Sequence, residues 1–208
     1  MNKFGSNIQI PKKSARSQLK PEIIWGCDGG GSAHFPRNFE TINARKHSPN
    51  PQPMRAFQQA VREAQDRVWV VDDYFLVPDK DRSSARRVET ILDWLHDDLV
   101  ASDIRILTKK HDQITEKTLQ LFQEREDSIN SNQVRRTKKC SIQVSTHLRK
   151  KFDYVHDRFA IVDDELWHFG ATVGGFHTSI NAASRGWCAA ESSAIEFFEM
   201  VWSRCKVK

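Results

Sequence analysis

Long apolar runs are missing from this 208-residue sequence. No stretch approaches the ~20 residues that a membrane-spanning helix requires. The basic amino terminus has no apolar segment behind it, so neither a secretory leader nor a membrane partner is expected, and the cytoplasm is the default compartment. Cysteine is scarce as well. Cys27, Cys140, Cys188 and Cys205 lie far apart with no Cys-x-x-Cys pair, which argues against a zinc cage or a disulfide framework. Reduced, structural thiols are the expectation. The glycine run Gly29-Gly30-Gly31 lacks the Gly-Lys-Ser/Thr ending of a phosphate loop, and no helical pattern follows it, so it reads as a turn. No internal repeat is visible.

Acidic residues are absent from two stretches. The first twenty positions carry Lys3, Lys12, Lys13, Arg16 and Lys20 without one acid. Between Gln133 and Lys151 stand Arg135, Arg136, Lys138, Lys139, Arg149, Lys150 and Lys151, again without one. The formal net charge of +5 is therefore concentrated. Runs of this kind attract polyanions by releasing their counterions, although a solvated basic loop has the same composition.

What is present organises the chain into two parts. Residues 1–53 hold most of the prolines and little periodic hydrophobicity, and form a basic, Gly/Pro-rich extension that is poorly structured or docked through Ile23, Ile24 and Trp25. From 54 to 208 helix and strand patterns alternate. Met54 to Asp66 reads as a helix, Val68 to Val71 as a strand leading into Asp72-Asp73-Tyr74. Val88, Ile91, Leu92, Leu95 and Leu99 recur at helical spacing within 85–100. Ile104 to Leu107 is a strand, 112–128 a helix with Ile114, Leu119, Leu121 and Phe122 as core, and Ser141 to Ser145 a strand. Phe159 to Val162 and Leu166 to Phe169 form a hairpin turning at Asp163-Asp164-Glu165. A short strand near Trp187 to Ala190 and a helix from Ser192 to Cys205 complete the order. Trp167, Trp187 and Trp202 are assigned to the core. Strand-helix alternation predicts an α/β fold with a mixed, largely parallel sheet flanked by helices.

The chemistry is concentrated in Val155-His156-Asp157-Arg158-Phe159-Ala160-Ile161-Val162-Asp163 and Gly170-Ala171-Thr172. In an extended segment, side chains two apart point the same way, so His156 and Arg158 share a face while Val155, Phe159 and Ile161 fill the other. An imidazole can attack phosphorus, and a guanidinium can hold two non-bridging oxygens in its fork. Asp163 is a turn residue by type and a supporting group by position. His168 lies across the hairpin and either faces the same pocket or packs in the sheet. Asp72 and Tyr74, at a strand's carboxyl end, stand where open sheets gather functional groups, or cap the strand. His147, Arg149, Lys150 and Lys151 can touch backbone phosphates or face solvent.

His156-x-Arg158-x4-Asp163 with Gly170 resembles the His-x-Lys-x4-Asp-x6-Gly motif of the phospholipase D superfamily. It is closer still to a bacterial phospholipase-D-like subgroup reading His-Asp-Arg-Phe, then Asp, then His-x-Gly-Ala-Ser. The corresponding residues here are His156-Asp157-Arg158-Phe159, Asp163, and His168-Phe169-Gly170-Ala171-Thr172. Val70 to Tyr74 and Ile104 to Lys110 fall where that subgroup has its first core strands, and the resemblance covers roughly residues 55–205. It implies a phospholipase-D-like domain, a phosphohistidine intermediate at His156 and a phosphate clamp at Arg158. No metal or other cofactor is implied. Two motif copies face each other in the family, one histidine attacking and the other protonating the leaving oxygen. The single copy here implies a homodimer that builds the site across its two-fold axis. With the basic runs, the expected activity is that of a phosphodiesterase or nuclease acting on DNA or RNA.

Several positions depart from the family pattern. Arg158 replaces the usual lysine, Ala171 stands where serine or glycine often follows the glycine, and Val173 stands where asparagine is common. Thr172 or Asn181 is the candidate for the missing polar contact, and Glu191 the nearest candidate for an acid supporting the histidine. These departures keep a second reading open: a catalytically inactive, nucleic-acid-binding module with the same fold. Phospholipid hydrolysis is disfavoured, because no interfacial amphipathic helix or acyl-chain groove is evident.

Overall fold

From Gln52 onward, short β-branched strands alternate with amphipathic helices. The computed structural model describes residues 19–25, 35, 37–46, 52–80, 82–132, 138–176 and 181–205. Cys27, the Gly29-Gly30-Gly31 turn, Arg135, Arg136 and the basic residues before Leu19 lie outside the described residues. The elements in chain order are β1 (Glu22–Ile24), α1 (Phe39–Lys46), α2 (Gln52–Glu63), β2 (Arg67–Val71), α3 (Ser84–Trp94) and β3 (Asp103–Leu107). They continue as α4 (Glu116–Ser131), β4 (Ser141–Ser145), α5 (Leu148–Lys151), β5 (Phe159–Val162), β6 (Glu165–Phe169), β7 (Ala183–Cys188) and α6 (Ala194–Cys205).

The strands form a seven-stranded sheet in the order β1-β7-β6-β5-β2-β3-β4. The expected mixed α/β sheet with flanking helices is present, but its directions correct the largely parallel arrangement. Among the described residues only β2, β3 and β4 run parallel, and the other strand pairings are antiparallel. The reason is topological. Helical crossovers connect β2 to β3 and β3 to β4, which makes those neighbours parallel. The β5–β6 hairpin then enters on the other side of β2, running against it.

Local chemistry explains the helix boundaries. Ser83 caps α3 by accepting the Arg86 N–H, and Thr115 caps α4 by accepting the Thr118 N–H. Helix α3 stops at Trp94, sooner than the apolar pattern implies. Leu95 and Leu99, beyond its end, are nonetheless buried with Val88 and Ile91. Strand β7 begins at Ala183, earlier than Trp187, and the Trp187 side chain is exposed rather than core. Trp167 and Trp202 are buried as anticipated.

Alternation along the central strands feeds two cores. Val68, Val70, Ile104, Ile106, Ala160 and Val162 face α2, α3 and α4, where Phe57, Val88, Trp94 and Phe122 meet them. Trp69, Val71, Phe159 and Ile161 face α6, where Trp69 stacks on Phe198 at 4.6 Å. Burial on both faces makes β2 and β5 rigid, and each large apolar side chain so buried contributes on the order of 2 kcal/mol. The pairing of Val71 with Phe159 sets the end of β2 beside the start of β5. Charged residues gather at that end of the central strands.

Candidate active site

Asp72 directly follows β2, and its backbone N–H donates to the Leu107 carbonyl at 3.0 Å, which continues the β2–β3 pairing by one step. Its side chain is fully buried. Oδ1 accepts the Tyr74 N–H at 2.8 Å and Oδ2 the Val173 N–H at 2.7 Å. Burial pushes its carboxyl from 3.8 up to about 6, against the opposing pull of those two N–H groups and of Arg158 and Arg87. The Val173 contact ties the Gly170-Ala171-Thr172 tail of the motif to the end of β2. Thr172 is buried beside it.

Arg158 is the last residue before β5. Its carbonyl accepts the Phe169 N–H at 3.0 Å, so its backbone is held by β6 although the strand itself starts at Phe159. Its Nε lies 3.8 Å from Asp72 Oδ1, and its guanidinium carbon 4.9 Å from the centre of the Tyr74 ring. Lys109 meets the same ring, with Nζ 3.7 Å from the centroid. Tyr74 thus has two cations within cation–π distance of its ring. Arg149 of α5 pairs with Asp73, which is nearly buried, and donates to the Asp153 carbonyl at 3.1 Å.

His156 stands two residues before Arg158, exposed, in the segment between α5 and β5. The expectation that both residues project from a regular strand is corrected, because the ladder begins only at Phe159. Val155, Phe159 and Ile161 do share the α6-side core, but Ala160 and Val162 are equally buried on the other face. Lys150 and Lys151 are exposed on α5. His147 is half-buried rather than solvent-exposed, and its Nδ1 is enclosed. His168 is exposed on β6 opposite Phe159, one strand from the motif.

Two predicted residues lie elsewhere. Asp163 is at the far end of β5, roughly 16 Å of extended chain from Arg158. Its carboxylate accepts the N–H groups of Gln65, Asp66 and Arg67 at 2.7 to 3.1 Å, and its φ of 54° is the left-handed value that Asp tolerates in turns. Glu191 is exposed after β7, at that same far end.

Two residues escaped sequence reasoning. Arg87 is buried in α3, where it donates to the Tyr74 carbonyl at 2.8 Å and pairs with Asp79 at 2.5 Å. An arginine among the apolar positions of a helix was the available signal. Burial lowers its pKa, with Asp79 opposing the shift. Lys109 follows β3 with only its position after a strand to mark it.

No protein-family model matches the sequence, and no curated protein matches it. Among solved structures the chain is similar to NucT from Helicobacter pylori, with 11% identity over 74% of this chain and 89% of that one, at a TM-score of 0.43. It is also similar to TrmBL2, an archaeal chromatin protein that binds DNA, with 13% identity at a TM-score of 0.43. That match covers 74% of this chain and about half (49%) of TrmBL2. Phosphatidylserine synthase of Haemophilus influenzae Rd KW20 shares 14% identity over 70% of this chain and 34% of that one, at a TM-score of 0.44. Values this low transfer neither activity nor partner.

Proposed function

We propose that the chain is a metal-independent phosphodiesterase with a phospholipase-D-like fold that cleaves a nucleic acid backbone, with His156 as nucleophile and Arg158 as phosphate clamp. The observation that carries the reading is the cationic cluster at one end of the central strands. Arg158 and Lys109 flank Tyr74, and an exposed imidazole stands two residues before Arg158. Asp72 and Tyr74 orient the guanidinium, and Lys109 adds positive charge beside it. Fixed cations of this kind stabilise the charge that builds on phosphoryl oxygens in the transition state.

In this scheme a neutral His156 nitrogen bonds to phosphorus as the bond to the leaving oxygen breaks. The leaving oxygen takes a proton from the equivalent histidine of a second subunit. Water then attacks the phosphohistidine, giving its proton back to that second histidine as the bond from phosphorus to His156 breaks. The two histidines need opposite protonation states at the start, so the pair titrates as a unit. The chain carries one motif copy, which is why a homodimer belongs to the proposal. Asp163 and Glu191 have no part in it.

The test is cleavage of single- and double-stranded DNA and RNA in EDTA. Activity in wild type and its loss in His156→Ala are expected, whereas full activity in that variant, or none in wild type on any substrate, counts against the reading. A second reading is favoured by the Asp72–Arg158 approach at 3.8 Å, which already engages the clamp. An inactive binding module would show salt-dependent binding, no turnover, and unchanged affinity in His156→Ala.

A further inference from the structure

On the side of β6 away from Arg158, the sheet edge opens into a cavity of about 750 Å³, inside the ~300–1,000 Å³ range of small-ligand sites. Ile23, Trp25, Phe35, His168, Asn181 and Trp187 contribute to its lining. Phe35 is 62% exposed and Trp187 38%, so aromatic surface lies open to solvent there. The Trp25 and Phe35 rings meet edge to face, with centroids 5.4 Å apart. Flat rings open to solvent, with His168 and Asn181 beside them on the lining, suit a flat, polar-edged ligand better than an acyl chain.

The cavity is next to the catalytic edge. Phe169, on its lining, donates its N–H to the Arg158 carbonyl at 3.0 Å, and neighbouring strands are only ~4.8 Å apart. His168, also on the lining, is paired with Phe159. Arg158 sits opposite Phe169 on one face of the sheet while His168 sits with Phe159 on the other, so an occupant of both places needs a phosphate at one point and an aromatic ring system at another, joined by a chain that rounds the strand ends.

We propose that this cavity seats an unpaired nucleobase of a single-stranded nucleic acid whose phosphate is held at Arg158. The inference rests on the nucleic acid reading above and adds strandedness to it. A base stacked and paired inside a duplex cannot offer its face to Trp187, whereas in a single strand every base has a face available for stacking.

The test is binding by fluorescence anisotropy, in EDTA, with the full chain. Three probes of equal length are compared: a single-stranded oligodeoxynucleotide, a strand of abasic sites, and the duplex. The base-bearing single strand is expected to bind at least tenfold tighter than the abasic strand, and tighter than the duplex. Trp187→Ala should lower the ratio of base-bearing to abasic affinity about tenfold, and Trp187→Phe should restore most of it. Equal affinity of wild type for base-bearing and abasic strands, or for single strand and duplex, overturns the proposal. So does a Trp187→Ala loss that is the same on both single strands. Base-selective binding without cleavage would refute only the catalytic reading, and no binding to any probe would refute both.

Discussion

At the amino end of β5, Arg158 approaches a fully buried carboxylate at 3.8 Å and shares a tyrosine ring with Lys109. At the carboxyl end, Asp163 is closed off by three backbone N–H groups, with its own N–H given to the Arg67 carbonyl at 2.9 Å. Both residues belong to one motif, and they flank one short strand. The Asp163 end satisfies each charge with backbone and holds the sheet's turn in place. The Arg158 end holds its charges with rings, burial and a partly titrating acid, which leaves hydrogen-bonding capacity for a ligand. A motif can therefore join a structural end and a chemical end through a rigid strand.

Substitutions should separate the two ends. The largest effect is expected for Arg158→Ala, which should lower the cleavage rate about 10²–10³-fold, the usual size for removal of one transition-state donor, while urea denaturation shows little change. Asp163→Ala should do the reverse. Losing the carboxylate and the left-handed preference of Asp should cost about 3 kcal/mol of stability, read by the same denaturation, with cleavage per folded molecule preserved. A large rate loss in folded Asp163→Ala would break the division.

Asp72 gives a comparable effect that depends on pH. Its folded carboxyl keeps its proton up to about pH 6, while the unfolded chain releases it near 3.8. The folded state binds more protons in that window, so Asp72 destabilises the fold progressively as pH rises through it. The change is on the order of 3 kcal/mol, complete above the folded value. Stability measured at pH 4 and pH 7 should thus fall with rising pH more steeply in wild type than in Asp72→Asn. Equal slopes would mean that Asp72 is ionised throughout. Tyr74→Leu should weaken oligonucleotide binding about three- to fivefold by removing the ring shared by two cations. The smallest effect is expected at the exposed Lys150 and Lys151. Alanine at either should lower the slope of log affinity against log salt by about one and leave cleavage at saturation unchanged.

Much of this arrangement was legible beforehand. Val68 to Val71 and the β5–β6 hairpin were marked by short apolar runs and α3 by apolar residues at helical spacing, and the structure contains each of them together with the α6 helix. Strand direction was not legible, because where the β5–β6 hairpin enters the sheet is decided by long-range packing. Strand β7 was only partly anticipated, since Ala183-Ser184-Arg185-Gly186 lacks alternation and Gly186 sits at a φ of 93°. A Cβ there would lie 1.9 Å from the Lys20 carbonyl oxygen, so a glycine allows the β1 segment to approach. Motif spacing singled out His156 and Arg158 as candidates, but gave no sign of the Tyr74 ring close to two cations or of the buried Arg87. Those depend on which side chains the sheet brings together, and a single sequence does not record that.

The most direct measurement is mass spectrometry of the protein quenched during turnover of an oligonucleotide in EDTA, under conditions that preserve phosphoramidates. A nucleotidyl adduct on His156, absent in His156→Ala, is the predicted result. Cleavage products accumulating without any adduct on that imidazole, and at an undiminished rate in His156→Ala, would contradict it.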